Sequence, residues 1–173
     1  MGAERIDVAV VDAGPLIHLA EIGRLPIVNL FENLFLPDAV WHEAVRHKPT
    51  IDTELSMLGN IRRQAVHQES LSHFVMENNL ESLHAGEKEC LYLCKSLSVP
   101  IILTDDLAAR ETAKRLGIVA VGSVGIVIKA YRLNQISQDE AKSFITDLQD
   151  ISTLFVTRAI IELAIEQLEI NLQ

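Results

Sequence analysis

The chain has 173 residues and a formal net charge of −9, with 24 acidic side chains against 15 basic ones. Its hydrophobic content of 49% and mean hydropathy of +0.21 exclude an intrinsically disordered protein. The acidic balance excludes a protein that coats duplex nucleic acid through a basic surface, and the length predicts one domain, over 1–173, with a buried core.

The apolar runs and the cysteines indicate the cellular compartment of the protein. No apolar run reaches the length of a membrane span, and the first residues lack the apolar core of a secretory signal, so we expect a cytoplasmic protein without membrane contact. Cys90 and Cys94 lie one helical turn apart. We expect them to pack as reduced apolar side chains, because no paired Cys or His motif supplies further zinc ligands.

The N-terminal segment predicts a strand, an acid, a turn and a helix. Residues 8–11 form a short apolar strand, Asp12 follows directly, and Gly14-Pro15 predicts a turn before apolar residues at helical spacing. A short helix and a strand-like link should follow, and then a helix over 38–47. Glu43 lies beside the apolar stripe of that helix; the alternative is a surface glutamate at its edge.

The middle of the chain contains a second pair of acids. Residues 50–68 predict a polar helical segment, and residues 71–79 a weak strand. A helix then begins near Gly86, with Glu87 on the same face as the apolar stripe. Glu89 should point nearly the opposite way and lie at the periphery of any site. The alternative for both acids is stabilisation of the helix N-terminus.

The stretch from 99 to 118 predicts a buried parallel strand, two adjacent acids and a helix. Asp105 and Asp106 follow the strand at its carboxyl end, and Gly117 should end the helix as a C′ residue. Ligands of open α/β sheets bind outside the carboxyl ends of the strands. The alternative for Asp106 is a simple helix cap.

The C-terminal third predicts a strand over 118–121, a buried helix, and two further helices. A capping box of Ser137 and Glu140 opens the first of these, and an amphipathic helix covers about 156–168. Residues 137–173 thus form a helical extension. It contains no constellation of acids and bases, so we expect it to serve packing or a partner surface.

Four carboxylates, Asp12, Glu43, Glu87 and Asp106, are expected to converge at one edge of the sheet, with Asp105 beside them. Such carboxylates repel one another, and a divalent cation with oxygen ligands, Mg²⁺ or Mn²⁺, removes that cost. The sequence contains no phosphate loop, no dinucleotide fingerprint and no nucleophile elbow.

In combination these motifs resemble a PIN domain of the kind found in VapC-type toxins of toxin–antitoxin systems, and most of all a subgroup of short PIN-like proteins described as nucleic-acid-binding. The resemblance covers nearly the whole chain and rests on VVDAGPLIHLA, PDAVWHEAV, GEKECLYLCKSL, IILTDDLAARETAKRLGI and VGSVGIVIKAYRLNQIS. It implies a three-layer α/β/α sandwich with a central parallel sheet, an acidic pocket holding Mg²⁺ or Mn²⁺, and endonucleolytic cleavage of RNA.

The resemblance assigns catalytic and metal-binding roles to Asp12, Glu43, Glu87 and Asp106, and Asp105 could substitute for Asp106 or assist it. The chain departs from the family pattern at Gly14, where many relatives carry a hydroxyl residue that orients the first aspartate.

Two functions from different classes follow from these patterns. The first is a metal-dependent endoribonuclease, the toxin of a toxin–antitoxin pair, which acts on RNA, pairs with a small antitoxin protein and forms a homodimer. The second is a catalytically weak or inactive PIN-fold module that pairs with an antitoxin or with itself. The four acids favour the enzyme, whereas Gly14 and the net charge favour the binding module.

Overall fold

A computed structural model describes residues 6–170 of the chain. Its centre is a parallel sheet of five strands in the order β3-β2-β1-β4-β5. The strands are β1 (Ile6–Val11), β2 (Phe31–Pro37), β3 (Ile61–Gln64), β4 (Ile101–Leu103) and β5 (Val119–Val121). Because all neighbouring strands are parallel, their carboxyl ends lie at one edge of the sheet.

Helices cover both faces of the sheet and form a three-layer α/β/α sandwich. The helix α5 (Ala85–Ser96) packs against β1, β2 and β4, and it contacts α6 (Leu107–Arg115). The connection through α6 runs from β4 to β5, whereas the connection through α1 (Ala13–Glu21) runs from β1 to β2, in the opposite direction along the sheet. Because both crossovers are right-handed, α1 lies on the face opposite α5 and α6. The helices are α1 (Ala13–Glu21), α2 (Asp38–His47), α3 (Ile51–Ser56), α4 (Gln68–Asn78), α5 (Ala85–Ser96), α6 (Leu107–Arg115), α7 (Ser123–Arg132), α8 (Gln138–Asp150) and α9 (Arg158–Ile170), and a 3-10 helix covers Leu25–Leu30.

The direction of the chain reverses between β1 and β4. From β1 the chain continues to β2 and β3 on one side, and β4 and β5 lie on the other side. Val11 pairs with Leu103, so the residues that follow these strands, Asp12 and Thr104, emerge side by side. The backbone N–H of Asp12 donates to the carbonyl of Leu103 at 2.9 Å. Open sheets bind ligands at this kind of reversal point.

The core lies between the sheet and its helices, and the two cysteines belong to it. Cys90 and Cys94 are free thiols and are buried, as predicted. The thiol of Cys90 donates to the carbonyl of Val11 at 3.4 Å. Burial raises the pKa of Cys94 to about 12, so this thiol stays protonated at physiological pH.

Among the described residues, no helix combines the length and apolar character that crossing a bilayer requires.

Several predicted boundaries are confirmed, among them α2 at 38–47 and the capping box of Ser137 and Glu140 on α8. Gly117, with a positive φ of 75°, follows the last residues of α6. The turn predicted at Gly14-Pro15 is wrong, because α1 already begins at Ala13 and a proline is tolerated in the first turn of a helix.

Two elements of the middle segment differ from the prediction. Residues 61–64 form β3, an edge strand whose side chains are largely exposed, so it lacks the apolar pattern of a buried strand. Residues 71–79, predicted as a weak strand, fall largely in α4, which buries a single residue, Leu71. The amphipathic helix predicted over about 156–168 is α9, which begins at Arg158 and buries Ile161, Ala164 and Leu168.

Candidate active site

A cleft of about 270 Å³ opens at the carboxyl ends of β1 and β4. The structure brings all five predicted acids to this cleft, although they come from four separate parts of the chain. The lining residues are Asp12, Gly14, His18, Glu43, His84, Glu87, Asp105, Asp106, Leu154 and Phe155.

Asp12 lies at the bottom of the cleft, between β1 and α1, and is 7% exposed. Its Oδ1 accepts from the N–H of Ala13 at 2.8 Å, and its Oδ2 accepts from the hydroxyl of Thr104 at 2.9 Å. Burial raises the pKa of Asp12 to about 7, and the charges of Glu87 and Glu43 add to the rise against these two hydrogen bonds. A cation in the cleft would therefore be favoured, because it would stabilise the carboxylate form.

Glu87 is the third residue of α5 and is 6% exposed. Its Oε2 accepts from the backbone N–H of His84 at 2.9 Å, so it helps to cap the helix as the structural alternative proposed. Burial raises the pKa of Glu87, and the charges of Asp106 and Glu43 raise it further. The residue therefore combines a capping role with a position among other acids.

Gly86 borders a narrow gap between two carboxylates, which is also lined by Val40 at 3.1 Å from a Cβ built on the glycine. A Cβ at this position would lie 3.2 Å from Oε2 of Glu43 and 3.5 Å from Oδ1 of Asp12. Glu43 is exposed on α2 and reaches this space from above Asp12. Because Gly86 has no side chain, α5 can approach α2 closely and the space between the two carboxylates stays free.

The adjacent aspartates Asp105 and Asp106 have different surroundings. Asp106 is exposed and caps α6, with Oδ1 accepting from the N–H of Ala109 at 2.8 Å. Asp105 is held more firmly: its Oδ1 accepts from the N–H of Ser123 at 2.7 Å, and its Oδ2 from the hydroxyl of Ser123 at 2.5 Å. Oδ2 of Asp105 also lies 2.7 Å from Nδ1 of His18. The carboxylate of Asp106 is therefore the more accessible of the two.

Glycine is required beside Asp105. A Cβ on Gly122 would lie 2.7 Å from Oδ1 of Asp105 and 3.1 Å from a guanidinium nitrogen of Arg110. Any larger residue would therefore push Asp105 away from Ser123.

Glu89 was expected at the periphery, and it does not line the cleft. It is nevertheless not a surface residue. It is 8% exposed, and its Oε2 accepts from the N–H of Ala39 at 3.2 Å. The reason is that the N-terminus of α2 packs against α5, so the side of α5 that carries Glu89 is also covered. Glu89 thus satisfies a free backbone N–H at the start of α2.

Sequence reasoning missed two side chains that shape the cleft. His18 lines it and is oriented by Asp105, but a single histidine in an amphipathic helix gives no signal of such a role. Thr104 lies at the end of β4, and its hydroxyl donates to Asp12. Gly14, where the resemblance implies a hydroxyl residue, lies against Asp105 instead.

The acids fit a hydrated divalent cation better than a closed metal cage. Over residues 6–170, no three Asp, Glu, His or Cys side chains converge closely enough to hold an ion by themselves. Mg²⁺, however, keeps several of its waters and is held by one or two carboxylates together with substrate oxygens. Asp12 and Glu43 line the cleft and approach each other near Gly86, so they offer carboxylate oxygens for such an ion.

Comparison with known proteins agrees with the fold. No curated protein matches the sequence at a significant level. A family model for the PIN domain matches residues 8–169. PIN domains are in general nucleases, and they generally use divalent metal ions. Since the match extends over nearly the whole chain and the sheet is parallel with five strands, the chain belongs to the PIN domain family.

Proposed function

We propose that this protein is a Mg²⁺- or Mn²⁺-dependent endoribonuclease that hydrolyses RNA phosphodiester bonds at the acidic cleft. The observation that carries the proposal is the environment of Asp12. This buried carboxyl group has its pKa raised to about 7 and faces the charges of Glu87 and Glu43. The hydrogen bonds from Ala13 and Thr104 oppose that rise but do not cancel it. A structural aspartate would have no reason to occupy so unfavourable a position.

Asp12, Glu87 and Asp106 would hold the metal, with Glu43 at the border of the same space. A bound divalent ion supplies an activated water and stabilises the oxygen that leaves phosphorus. The chain itself fixes the direction of its ligands. Thr104 and the N–H of Ala13 orient Asp12, so this carboxylate needs no rearrangement when the ion binds.

Asp105 would support the site rather than bind the ion directly. Asp105 has three polar contacts, two of them on Oδ2, from Ser123 and His18. Asp12 has one hydrogen bond on each oxygen and so keeps a lone pair on each for an ion. Asp105 ties α1 to α7 across the mouth of the cleft and keeps His18 directed along the cleft wall. Of the two adjacent acids, Asp106 is therefore the proposed ligand.

An inactive PIN-fold binding module is the second candidate. The observation that favours it is the lack, among the described residues, of three side chains close enough to form a ready-made metal cage. The departure at Gly14 no longer supports this candidate, because Thr104 supplies the hydroxyl that orients Asp12.

Partners are proposed as a small antitoxin protein and a second copy of the chain. Apolar side chains are exposed at the end of α8 and on α9, including Ile151 at 62% and Leu163 at 56%. Exposed apolar surface of this kind is usually covered in an assembly, and a symmetric dimer is the commonest one. Sedimentation as a monomer at micromolar concentration would count against the homodimer.

RNA cleavage with matched glutamate variants tests the enzymatic proposal. Glu87→Gln and Glu89→Gln both neutralise a buried glutamate of α5, but only Glu87 lines the cleft. Cleavage of an RNA substrate should require Mn²⁺ or Mg²⁺, be lost in Glu87→Gln and persist in Glu89→Gln. Absence of cleavage in the wild type, together with a melting temperature that Mn²⁺ does not change, would leave the binding module as the function.

A further inference from the structure

A second groove lies beside the acidic cleft and is continuous with it. Its volume is about 630 Å³, and it is formed by α7, α9 and the connection between α8 and α9. Asp105, Leu154 and Phe155 line both the groove and the cleft. A long ligand bound at the acids would therefore leave the cleft along this groove.

Phe155 is the most exposed large apolar side chain of the described residues, at 95%. It lies at the junction of groove and cleft, and its backbone position is fixed by a neighbouring contact. The N–H of Thr153 donates to Oε2 of Glu21 at 2.7 Å, and the hydroxyl of Thr153 lies 3.0 Å from Oε1. This contact ties the α8–α9 connection to the end of α1. A solvent-exposed aromatic ring therefore lies next to the proposed catalytic acids.

The charged residues of the groove are mostly basic, in contrast to the chain as a whole. Arg110, Lys129 and Arg132 line it, and its single acid, Asp105, is already engaged by Ser123. Among residues 6–170, neither Lys129 nor Arg132 pairs with an acidic side chain. On a protein with a net charge of −9, such a local excess of cations favours an anionic ligand.

We propose that a single strand of nucleic acid lies along this groove, with one base stacked on Phe155 and its phosphates near Lys129 and Arg132. The inference rests on the proposed function, which makes the strand RNA, and it extends that function to the residues that select the substrate. A base can stack on a protein ring only when it is unpaired and splayed out, so the groove selects single strands over duplex. An apolar groove alone would suit a protein helix equally well; the cations and the continuity with the acids favour the nucleic acid.

Binding measured in chelator separates this proposal from the metal chemistry. The probe is a fluorescent single-stranded RNA of about twelve nucleotides, within the length that such grooves cover. Phe155→Ala should weaken its binding roughly five- to a hundredfold, which is the range for loss of one stacked base. The matched control is Met76→Ala, which removes a side chain 68% exposed on α4, away from both cavities, and should leave binding unchanged.

Conservative variants at the same position distinguish stacking from apolar contact. Phe155→Trp retains a ring and should bind the RNA as tightly as the wild type. Phe155→Leu retains apolar bulk without a ring and should bind nearly as weakly as Phe155→Ala. The chain contains one tryptophan, so Phe155→Trp in a Trp41→Phe background also reports stacking directly, through quenching of its fluorescence by single-stranded RNA. Met76→Trp in the same background should not be quenched.

The phosphate contacts are tested through the salt dependence of binding. For single strands, each lost phosphate contact should reduce the slope of log affinity against log salt by about 0.7. The double variant Lys129→Gln/Arg132→Gln should therefore bind more weakly and with a shallower slope than the wild type.

Unchanged RNA affinity in both Phe155→Ala and the double variant overturns the proposal. Rescue by Phe155→Leu, or loss of a dimer in Phe155→Ala with RNA binding intact, assigns the groove to a protein partner and overturns it as well. The metal-site proposal is judged separately, by the Mn²⁺-dependent melting temperature measured without RNA. The two proposals can thus fail independently.

Discussion

The substitution Asp12→Asn separates a metal site from an ordinary helix cap. It preserves the shape of the side chain and the oxygen that accepts from Ala13, and it removes one charge from the cleft. Burial raises the pKa of Asp12 from 3.8 to about 7. The folded state therefore binds this proton more tightly than the unfolded state does, and stability is lost as the pH rises from the lower value to the higher one.

The size of the effect follows from the two pKa values. Each pH unit between them corresponds to about 1.36 kcal/mol, so the ionised carboxylate destabilises the metal-free protein by on the order of 4 kcal/mol above pH 7. Asparagine avoids this cost and caps the helix about as well as aspartate, but it loses about 1 kcal/mol because its amide nitrogen cannot accept the hydrogen bond that Thr104 donates to Oδ2. Asp12→Asn should thus be more stable than the wild type at about pH 8 in chelator, and equal or slightly less stable at about pH 4.

The assay is urea denaturation and thermal melting in chelator at both pH values, repeated with Mn²⁺ at the higher one. Mn²⁺ should raise the melting temperature of the wild type, and the rise should shrink in Asp12→Asn. The control is Asp139→Asn, an exposed acid in the first turn of α8, which should be slightly destabilised at the higher pH and respond to Mn²⁺ as the wild type does. A variant of Asp12 that is less stable at both pH values and gains fully from Mn²⁺ would refute the reasoning.

Three glycines give further predictions. Gly122→Ala should destabilise the protein by about 1–3 kcal/mol in urea denaturation, because its Cβ would lie 2.7 Å from Oδ1 of Asp105. Gly14→Ser should be tolerated and raise stability by up to about 1 kcal/mol, since its Cβ would meet Asp105 at an ordinary 3.6 Å and glycine is a poor helix former; a large loss of stability would contradict this. Gly86→Ala should reduce the Mn²⁺-induced rise in melting temperature, because its Cβ would lie 3.2 Å from Oε2 of Glu43.

The parts of the fold that were predictable from the sequence are those with strong periodicity or clear caps. The helix α2 lies between two prolines, and α8 opens with a capping box, so their limits could be predicted to within about two residues. By contrast, β3 is an exposed edge strand stabilised by backbone pairing with β2, which no local pattern reveals. Its neighbour α4 buries one residue and therefore shows no clear apolar stripe.

The acids of the cleft were predictable because each follows a recognisable strand or lies on a recognisable helix, whereas the contacts that orient them were not. Asp12 and Asp106 follow β1 and β4, and parallel strands bring such residues to one edge. The partners His18 and Thr104 could not be inferred, since each depends on contacts between segments far apart in sequence. Burial of Glu89 depends likewise on how α2 packs against α5.

The central position of β1 in the sheet has a consequence for the order in which the protein is made. Synthesis delivers Asp12 early, but its hydrogen-bond partner Thr104 lies 92 residues further along the chain. Ordering β1 between β2 and β4 requires contacts of long sequence separation, which form slowly. A ribosome-bound chain that has not yet released β4 holds Asp12, Glu43 and Glu87 without the strand that completes the cleft. Under the proposed endoribonuclease function, the growing chain would therefore not cleave RNA until more than half of its length has emerged.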